Sequence, residues 1–370
     1  MAFLNKNTAL AIAALVACGS AAATEDYDLR YAPGYGGADM SAPFEGGWVF
    51  QAHAYAYSGN VRGTSVVATD LSAGFNAPAG TAGALTTIHT NAQINVNGLL
   101  SRLSYMSGTT FLGATLGGTV LIPLVNKGNE ASVHGVSTTL TGAAAGLPAA
   151  NQAGLIALVN ALGARTANTL AAANSNKTWG PGDIEFSPIL RWSTEATQTL
   201  FIFTTVAPTG DYDPNRAANP SAGKFWTFRP AVQFSYIGSG WDFGSRFAYS
   251  YNSRNIETKY KSGGYVNVDL SAMKSVSEST RVGLTAYAVD QLEKDTTSLT
   301  ATEFAARDAA FQAREEATLD KKGRIFGIGP QVAYIHGAGD YLVEARILKE
   351  FGAQTRPKGF TAFVTMSKPF

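Results

Sequence analysis

GDIEFSPILRW, residues 182–192, sorts its side chains by alternation. One series is Ile184, Phe186, Pro188, Leu190 and Trp192; the other is Asp183, Glu185, Ser187, Ile189 and Arg191. Strict alternation marks a strand with one apolar face and one largely polar face. A soluble sheet turns the apolar face inward. A transmembrane barrel turns it outward, into hydrocarbon. Which face looks inward decides the fold.

Similar segments recur along the chain. Strand candidates run 46–58, 91–106, 110–122, 182–193, 196–208, 225–237, 241–252, 264–276, 280–292, 324–336, 340–351 and 360–370. That makes an even number, twelve. Their connections alternate in length. Short ones are 107–109, 194–195, 238–240, 277–279 and 337–339; long ones are 59–90, 123–181, 209–224, 253–263, 293–323 and 352–359. Short turns at one end and long loops at the other are the habit of bacterial outer-membrane barrels.

Aromatic spacing separates the two alternatives. Trp226 and Tyr236, Trp241 and Tyr251, Tyr341 and Phe351, and Phe360 and Phe370 form same-face pairs, each ten residues apart. Ten residues at about 3.3 Å each, tilted about 40°, rise roughly 25 Å. That is the height of the apolar band on such barrels, with aromatic girdles at both edges. Between the girdles the same face carries Phe228, Val232, Phe234, Phe243, Phe247, Val343 and Ile347. In hydrocarbon every backbone donor must be paired, so only a closed ladder survives there. The expected fold is all-β: an antiparallel twelve-stranded transmembrane barrel with short periplasmic turns and long extracellular loops. The polar series then faces a lumen. Candidate lining residues are Asp183, Glu185, Arg191, Arg229, Gln233, Asp242, Arg246, Asp269, Glu344 and Arg346. A lining of both signs gives little reason for strong ion selectivity. The last segment, TAFVTMSKPF, also ends an alternating strand on Phe370, as assembly signals of such barrels do; Lys368 and Pro369 depart from that pattern.

The N-terminus has the three parts of a secretory signal: Lys6, an apolar core from Thr8 to Ala17, and small residues at Ala21, Ala22 and Ala23. Residues 1–23 read as a signal peptide, 24–45 as a lumen segment and 46–370 as the barrel. Cys18 is the one cysteine, and Leu15-Val16-Ala17-Cys18 also fits lipidation. Removing 1–23 takes Lys6 and no acid, leaving 27 residues of each sign. No basic excess remains to neutralise phosphates, which argues against nucleic acid. Charged residues are 15% of the chain, below the roughly 25% of soluble domains. After the N-terminal core no run reaches the roughly 20 apolar residues of a membrane helix.

Twelve strands enclose a lumen between the filled eight and the open sixteen. Residues 24–47, TEDYDLRYAPGYGGADMSAPFEGG, are the expected blocker, with Tyr27, Tyr31, Tyr35 and Phe44 as anchors; such aromatics are unusual in disorder. The alternative is a disordered periplasmic tail. Pro188, Pro230 and Pro330 fall mid-strand on the lipid-facing series, where each removes a ladder bond. Each predicts a bulge or kink: relief of curvature, or a weakened wall that passes apolar solutes sideways. Residues 150–172 and 301–318 show helical spacing within long connections and would cover the mouth.

Catalytic signals are sparse. His53, His89, His134 and His336 have no metal spacing, and no G-x-S-x-G occurs. Asp211 and Asp213 with Asn215 lack the glycine and terminal glutamate of a calcium loop, so a turn is the reading. No cofactor, metal or catalytic residue is expected.

The central half also resembles the outer-membrane channel family associated with the meta-pathway of phenol degradation. The matching pieces are Gly182-Asp183 with Pro188 and Trp192, Pro208-Thr209-Gly210-Asp211-Tyr212, Gly223, Trp226 and Pro230, Gly240-Trp241, Asn252, Asn255, Thr258 and Tyr260, and Gly329-Pro330. The resemblance spans about 180–360 and leaves 123–181 uncovered. It implies a twelve-stranded barrel whose N-terminal segment enters the lumen, and uptake of small aromatic or apolar molecules. The expected function is therefore passive uptake across the outer membrane of a Gram-negative cell. Expected partners are outer-membrane lipid and lipopolysaccharide, the barrel assembly machinery and a small solute. The competing readings are a lipid hydrolase-like enzyme and a structural or adhesive barrel.

Overall fold

The computed structural model describes residue 25 and residues 29–41, 46–337 and 339–370. The signal segment, Cys18, Tyr27 and Phe44 lie outside them. The strands are β1 (Gly47–Asp70), β2 (Ala82–Phe111), β3 (Ala114–Gly142), β4 (Asn176–Pro181), β5 (Glu185–Ser193), β6 (Thr197–Val206), β7 (Thr227–Gly238), β8 (Trp241–Asn252), β9 (Tyr260–Lys261), β10 (Tyr265–Ser275), β11 (Thr280–Gln291), β12 (Thr296–Thr297), β13 (Arg324–His336), β14 (Tyr341–Gln354) and β15 (Lys358–Pro369). The helices are α1 (Ala149–Ala173), α2 (Ala301–Ala305) and α3 (Ala309–Thr318).

The main sheet closes on itself. Its order runs β2-β1-β15-β14-β13-β11-β10-β8-β7-β6-β5-β3, and β2 pairs β3 to complete the ring. β4 and β5 lie end to end against β3, so thirteen segments fill twelve positions. Every pairing is antiparallel. Closure leaves no edge to satisfy in hydrocarbon. The apolar series faces out: Phe243 is 44% exposed, Val232 49% and Phe247 53%, with Phe228 beside them. The opposite series is buried. No helix of the described residues is long and apolar enough to cross a membrane.

The opening stretch contains an interruption of the wall that sequence alternation hides. Leu124 pairs Pro181, but Leu121 pairs Glu185, so Gly182-Asp183-Ile184 holds one extra residue. The strand expected over 182–193 is regular only from Glu185. Loop 207–226 closes in at this point: the Asp211 amide donates to the Pro181 carbonyl at 2.9 Å.

Three expectations about connections need correction. The first three strands are longer than 46–58, 91–106 and 110–122. β1, β2 and β3 continue beyond β15 as a three-stranded wall, with only residues 71–81 joining β1 to β2. Its inner face is apolar because α1 covers it: Val67 and Ile88 pack on Ala167 and Leu170, and Leu140 and Ala84 pack near Val159. The turn expected at 107–109 is a bulge, and the chain turns at Leu112-Gly113, where both φ angles are positive. The connection expected over 352–359 is a tight one, residues 355–357.

The prolines introduce no bulge. Pro188 pairs Gly118, Pro230 pairs Phe203 and Pro330 pairs Leu284. On the other side each ladder skips two pairs and resumes in the same register. The missing N–H opens a local gap, and the flanking pairs hold the register.

Candidate functional site: the lumen and its N-terminal segment

Residues 29–41 run down inside the barrel, and the wall holds them at every level. At the long-loop end Glu25 is buried. Its carboxylate accepts from Thr258 Oγ1 at 2.6 Å, Asn255 Nδ2 at 3.0 Å and Tyr212 OH at 3.2 Å. Arg30 pairs with Asp183 at 3.1 Å and lies 4.0 Å over the Phe225 ring. Asp183 sits in the wall interruption, where it also accepts from the Gly210 amide and from Ser221 Oγ. The irregular backbone at 182–184 thus places one carboxylate where loop and lumen segment meet.

The middle of the segment is aromatic. Tyr31 hydroxyl donates to Asp269, and the Arg229 guanidinium stands 5.2 Å over its ring. Arg229 pairs with Glu185 at 3.3 Å. Tyr35 hydroxyl meets His53 Nε2 at 3.1 Å, and His53 Nδ1 meets Thr365 Oγ1 at 2.9 Å. Burial pushes the Tyr35 hydroxyl up to about 12, which keeps it neutral.

Toward the short-turn end the segment makes one turn of 3-10 helix, Ala38–Met40. Arg346 Nε donates to the Gly34 carbonyl at 2.9 Å and Nη2 to the Tyr35 carbonyl at 2.6 Å. Glu344 pairs with Arg346 and accepts from the Ala38 amide at 2.8 Å. Gln233 Nε2 donates to the Met40 carbonyl at 2.9 Å, while its Oε1 accepts from Arg246 at 2.7 Å. Asp39 pairs with Arg102 at 2.6 Å. Burial alone would raise the Asp39 carboxyl, but Arg102, backed by His53, holds it well below the usual carboxylate range. Gly37 is required by close approach: a Cβ there would run into Glu344 and Arg346.

Eight of the ten expected inward positions therefore gather round the segment. Asp183, Gln233, Asp269, Glu344 and Arg346 bond to its chain directly, Arg229 stacks on Tyr31, and Glu185 and Arg246 support those contacts. Two do not take part. Asp242 pairs with Arg281 at 2.8 Å near the short-turn end, and Arg191 has no ion-pair partner among the described residues. Strand alternation could have found Gln51, His53, Arg102 and Tyr287, which face inward on their strands. Arg30 and Asp39 carry no such signal, because their segment has no period.

Between segment and wall lies a cavity of about 290 Å³. Ile94, Leu100, Leu121, Ile189, Leu200 and Ile202 give it apolar lining, and Tyr31, Tyr35, Arg102 and Arg229 also line it, with Arg102 directly beside Leu121. Among the described residues no cluster of His, Cys, Asp and Glu is placed to hold a metal. His336 stacks on Tyr341 at 4.7 Å, and His89 bonds Thr64 Oγ1.

Residues 75–366 match the family described as "MetA-pathway of phenol degradation". The chain belongs to this family. Its fold is similar to that of an outer membrane channel from Pseudomonas putida F1, with a TM-score of 0.56 at 13% identity over 92% of this chain and 100% of that one. CymD, a monoaromatic hydrocarbon channel, gives a TM-score of 0.39 at 8% identity over 95% and 98% of the two chains. A FadL homologue of Pseudomonas aeruginosa gives 0.38 at 8% identity over 96% and 98%. A search of curated proteins gives no match. Family motif residues now have positions in this fold: Tyr212, Asn255 and Thr258 hold Glu25, and Asp183 and Gly223 hold Arg30.

Proposed function

We propose that this barrel sits in the bacterial outer membrane and passes small aromatic or apolar molecules by passive diffusion, along the space between the lumen segment and the wall. The cavity of about 290 Å³ carries the reading. A dry apolar cavity of roughly 150 Å³ already admits benzene. This one has room for a substituted single ring among Ile94, Leu121 and Leu200, with the Tyr31 and Tyr35 rings also in the lining. Family membership and the outer membrane channel of similar fold support the same direction. Asp183, Glu185, Arg229, Gln233 and Arg246 act here as lining, Asp269, Arg229 and Arg346 as anchors of Tyr31 and Tyr35, and the lumen segment as a constriction. The apolar belt and the sorted loops support an orientation with the long-loop end outside the cell.

The test is growth of a deletion strain on candidate aromatics. At limiting concentration it should grow more slowly than the complemented strain, and at saturating concentration equally fast. Equal growth at every concentration, across a panel of aromatics, would overturn the proposal.

A further inference from the structure

One sector of the outer wall gathers four exposed cations within three adjacent rows. The register aligns Lys349, Phe360, Ser58, Asn95, Gly128 and Lys177 in one row across β14, β15, β1, β2, β3 and β4. Lys358, Asn60, Gln93 and Glu130 form the next row toward the long-loop end; Arg62, Asn91 and Ser132 form the one after. Just below stand Ile347, Ala362, Ala56, Asn97, Asn126 and Trp179, and one row lower Leu99 and Leu124, where the apolar band begins. These rows therefore lie at the level of lipid headgroups.

Lys177, Lys349, Lys358 and Arg62 are exposed and have no ion-pair partner among the described residues. Glu130 is the one carboxylate in the three rows. Farther round the barrel two cations are paired, Arg324 with Asp290 at 3.6 Å and Lys261 with Glu293 at 3.9 Å. Neighbours among Lys349, Lys358 and Arg62 are one strand and two residues apart, about 8 Å between Cα atoms. Beside them Ser58, Gln93 and Asn95 are already linked: Ser58 Oγ donates to Asn95 Oδ1 at 2.8 Å and Gln93 Nε2 to Ser58 Oγ at 3.1 Å. Clustered cations match phosphate; adjoining amides and hydroxyls match sugar hydroxyls.

We propose that this face binds the phosphorylated sugar headgroup of the outer-leaflet glycolipid, lipopolysaccharide. Lys349, Lys358 and Arg62 take phosphate, the Ser58–Gln93–Asn95 network takes the sugar, and Lys177 extends the contact across β4. The acyl chains lie on the apolar band beneath. The proposal rests on the outer-membrane reading but not on any solute.

The purified full chain in phosphatidylcholine nanodiscs is titrated with diphosphoryl lipid A, with its dephosphorylated form and with phosphatidylglycerol. Bound lipid and unfolding temperature are the readouts. Diphosphoryl lipid A should bind and stabilise the barrel. Dephosphorylation should weaken binding about tenfold or more, and so should the combined variant Arg62→Gln, Lys177→Gln, Lys349→Gln and Lys358→Gln. Lys274→Gln, at the short-turn end over Trp241, should bind as the parent does. Equal binding of the two lipid A forms, phosphatidylglycerol matching lipid A, or a combined variant that binds like the parent overturns the proposal. If that variant does not fold, the comparison of lipids on the parent still decides. Solute uptake into liposomes without glycolipid tests the channel separately.

Discussion

Arg346 does more for the lumen segment than any other wall residue, because it holds two of its carbonyls and the Glu344 carboxylate together. Arg346→Ala leaves Glu344 buried without its cation, a cost of about 3–5 kcal/mol. The segment should loosen, seen as raised single-channel conductance and protease cutting within 29–41. Replacing both, Glu344→Gln with Arg346→Met, should undo part of the effect. Gly37→Val should act the same way by blocking close approach. Asp39 gives the pH dependence. Its carboxyl is held below its unfolded value, so its pairing with Arg102 contributes fully above the ordinary carboxylate range, about 3.9. That contribution fades as pH falls below it. The part of the conductance that depends on this pair should be unchanged from neutral pH down to about 5 and rise only in stronger acid. Asp39→Asn should start high and lack part of the acid rise.

At the scale of elements, α1 and the β1–β3 extension depend on each other. The extension has an apolar inner face at Val67, Ile88 and Leu140, and α1 is what covers it. Leu170→Ala removes a buried side chain from that contact, at about 2–5 kcal/mol of local stability. Limited proteolysis should then cut near 145–175 while the barrel stays heat-resistant. The three prolines behave differently. Each faces a gap two pairs long, after which the ladder resumes in the same register. Pro330→Val supplies an N–H that the neighbouring strand can accept, so the folded barrel should resist heat at least as well. Uptake of an apolar solute should be unchanged; a loss of uptake would favour a sideways path at that point.

For the whole molecule, the lumen segment and the barrel form one folded unit. The segment enters at Glu25, among the long loops, and leaves toward β1 at the other end. Deleting 24–45 should raise single-channel conductance several-fold, since the blocked cross-section becomes water. Unchanged conductance would refute the constriction. The deletion also strips partners from Asp183, Asp269, Glu344 and Arg102 at once, so unfolding temperature should drop as well.

Much of this was legible in the chain itself. A period of two, kept over ten residues and bracketed by aromatics, has one low-energy solution in hydrocarbon, so strand type, facing and closure follow from local pattern. The inward positions of Arg229, Gln233 and Glu344 follow from the same parity. Tertiary structure alone decided the rest. No local rule tells a bulge at 182–184 or 107–109 from a regular strand or a turn, because the choice depends on the facing strand's register. The length of β1 to β3 depended on α1 covering an apolar face above the membrane. Which charges meet inside depended on residues 29–41, a segment without period, whose path is set only by the carboxylates, guanidiniums and rings that the closed wall brings around it.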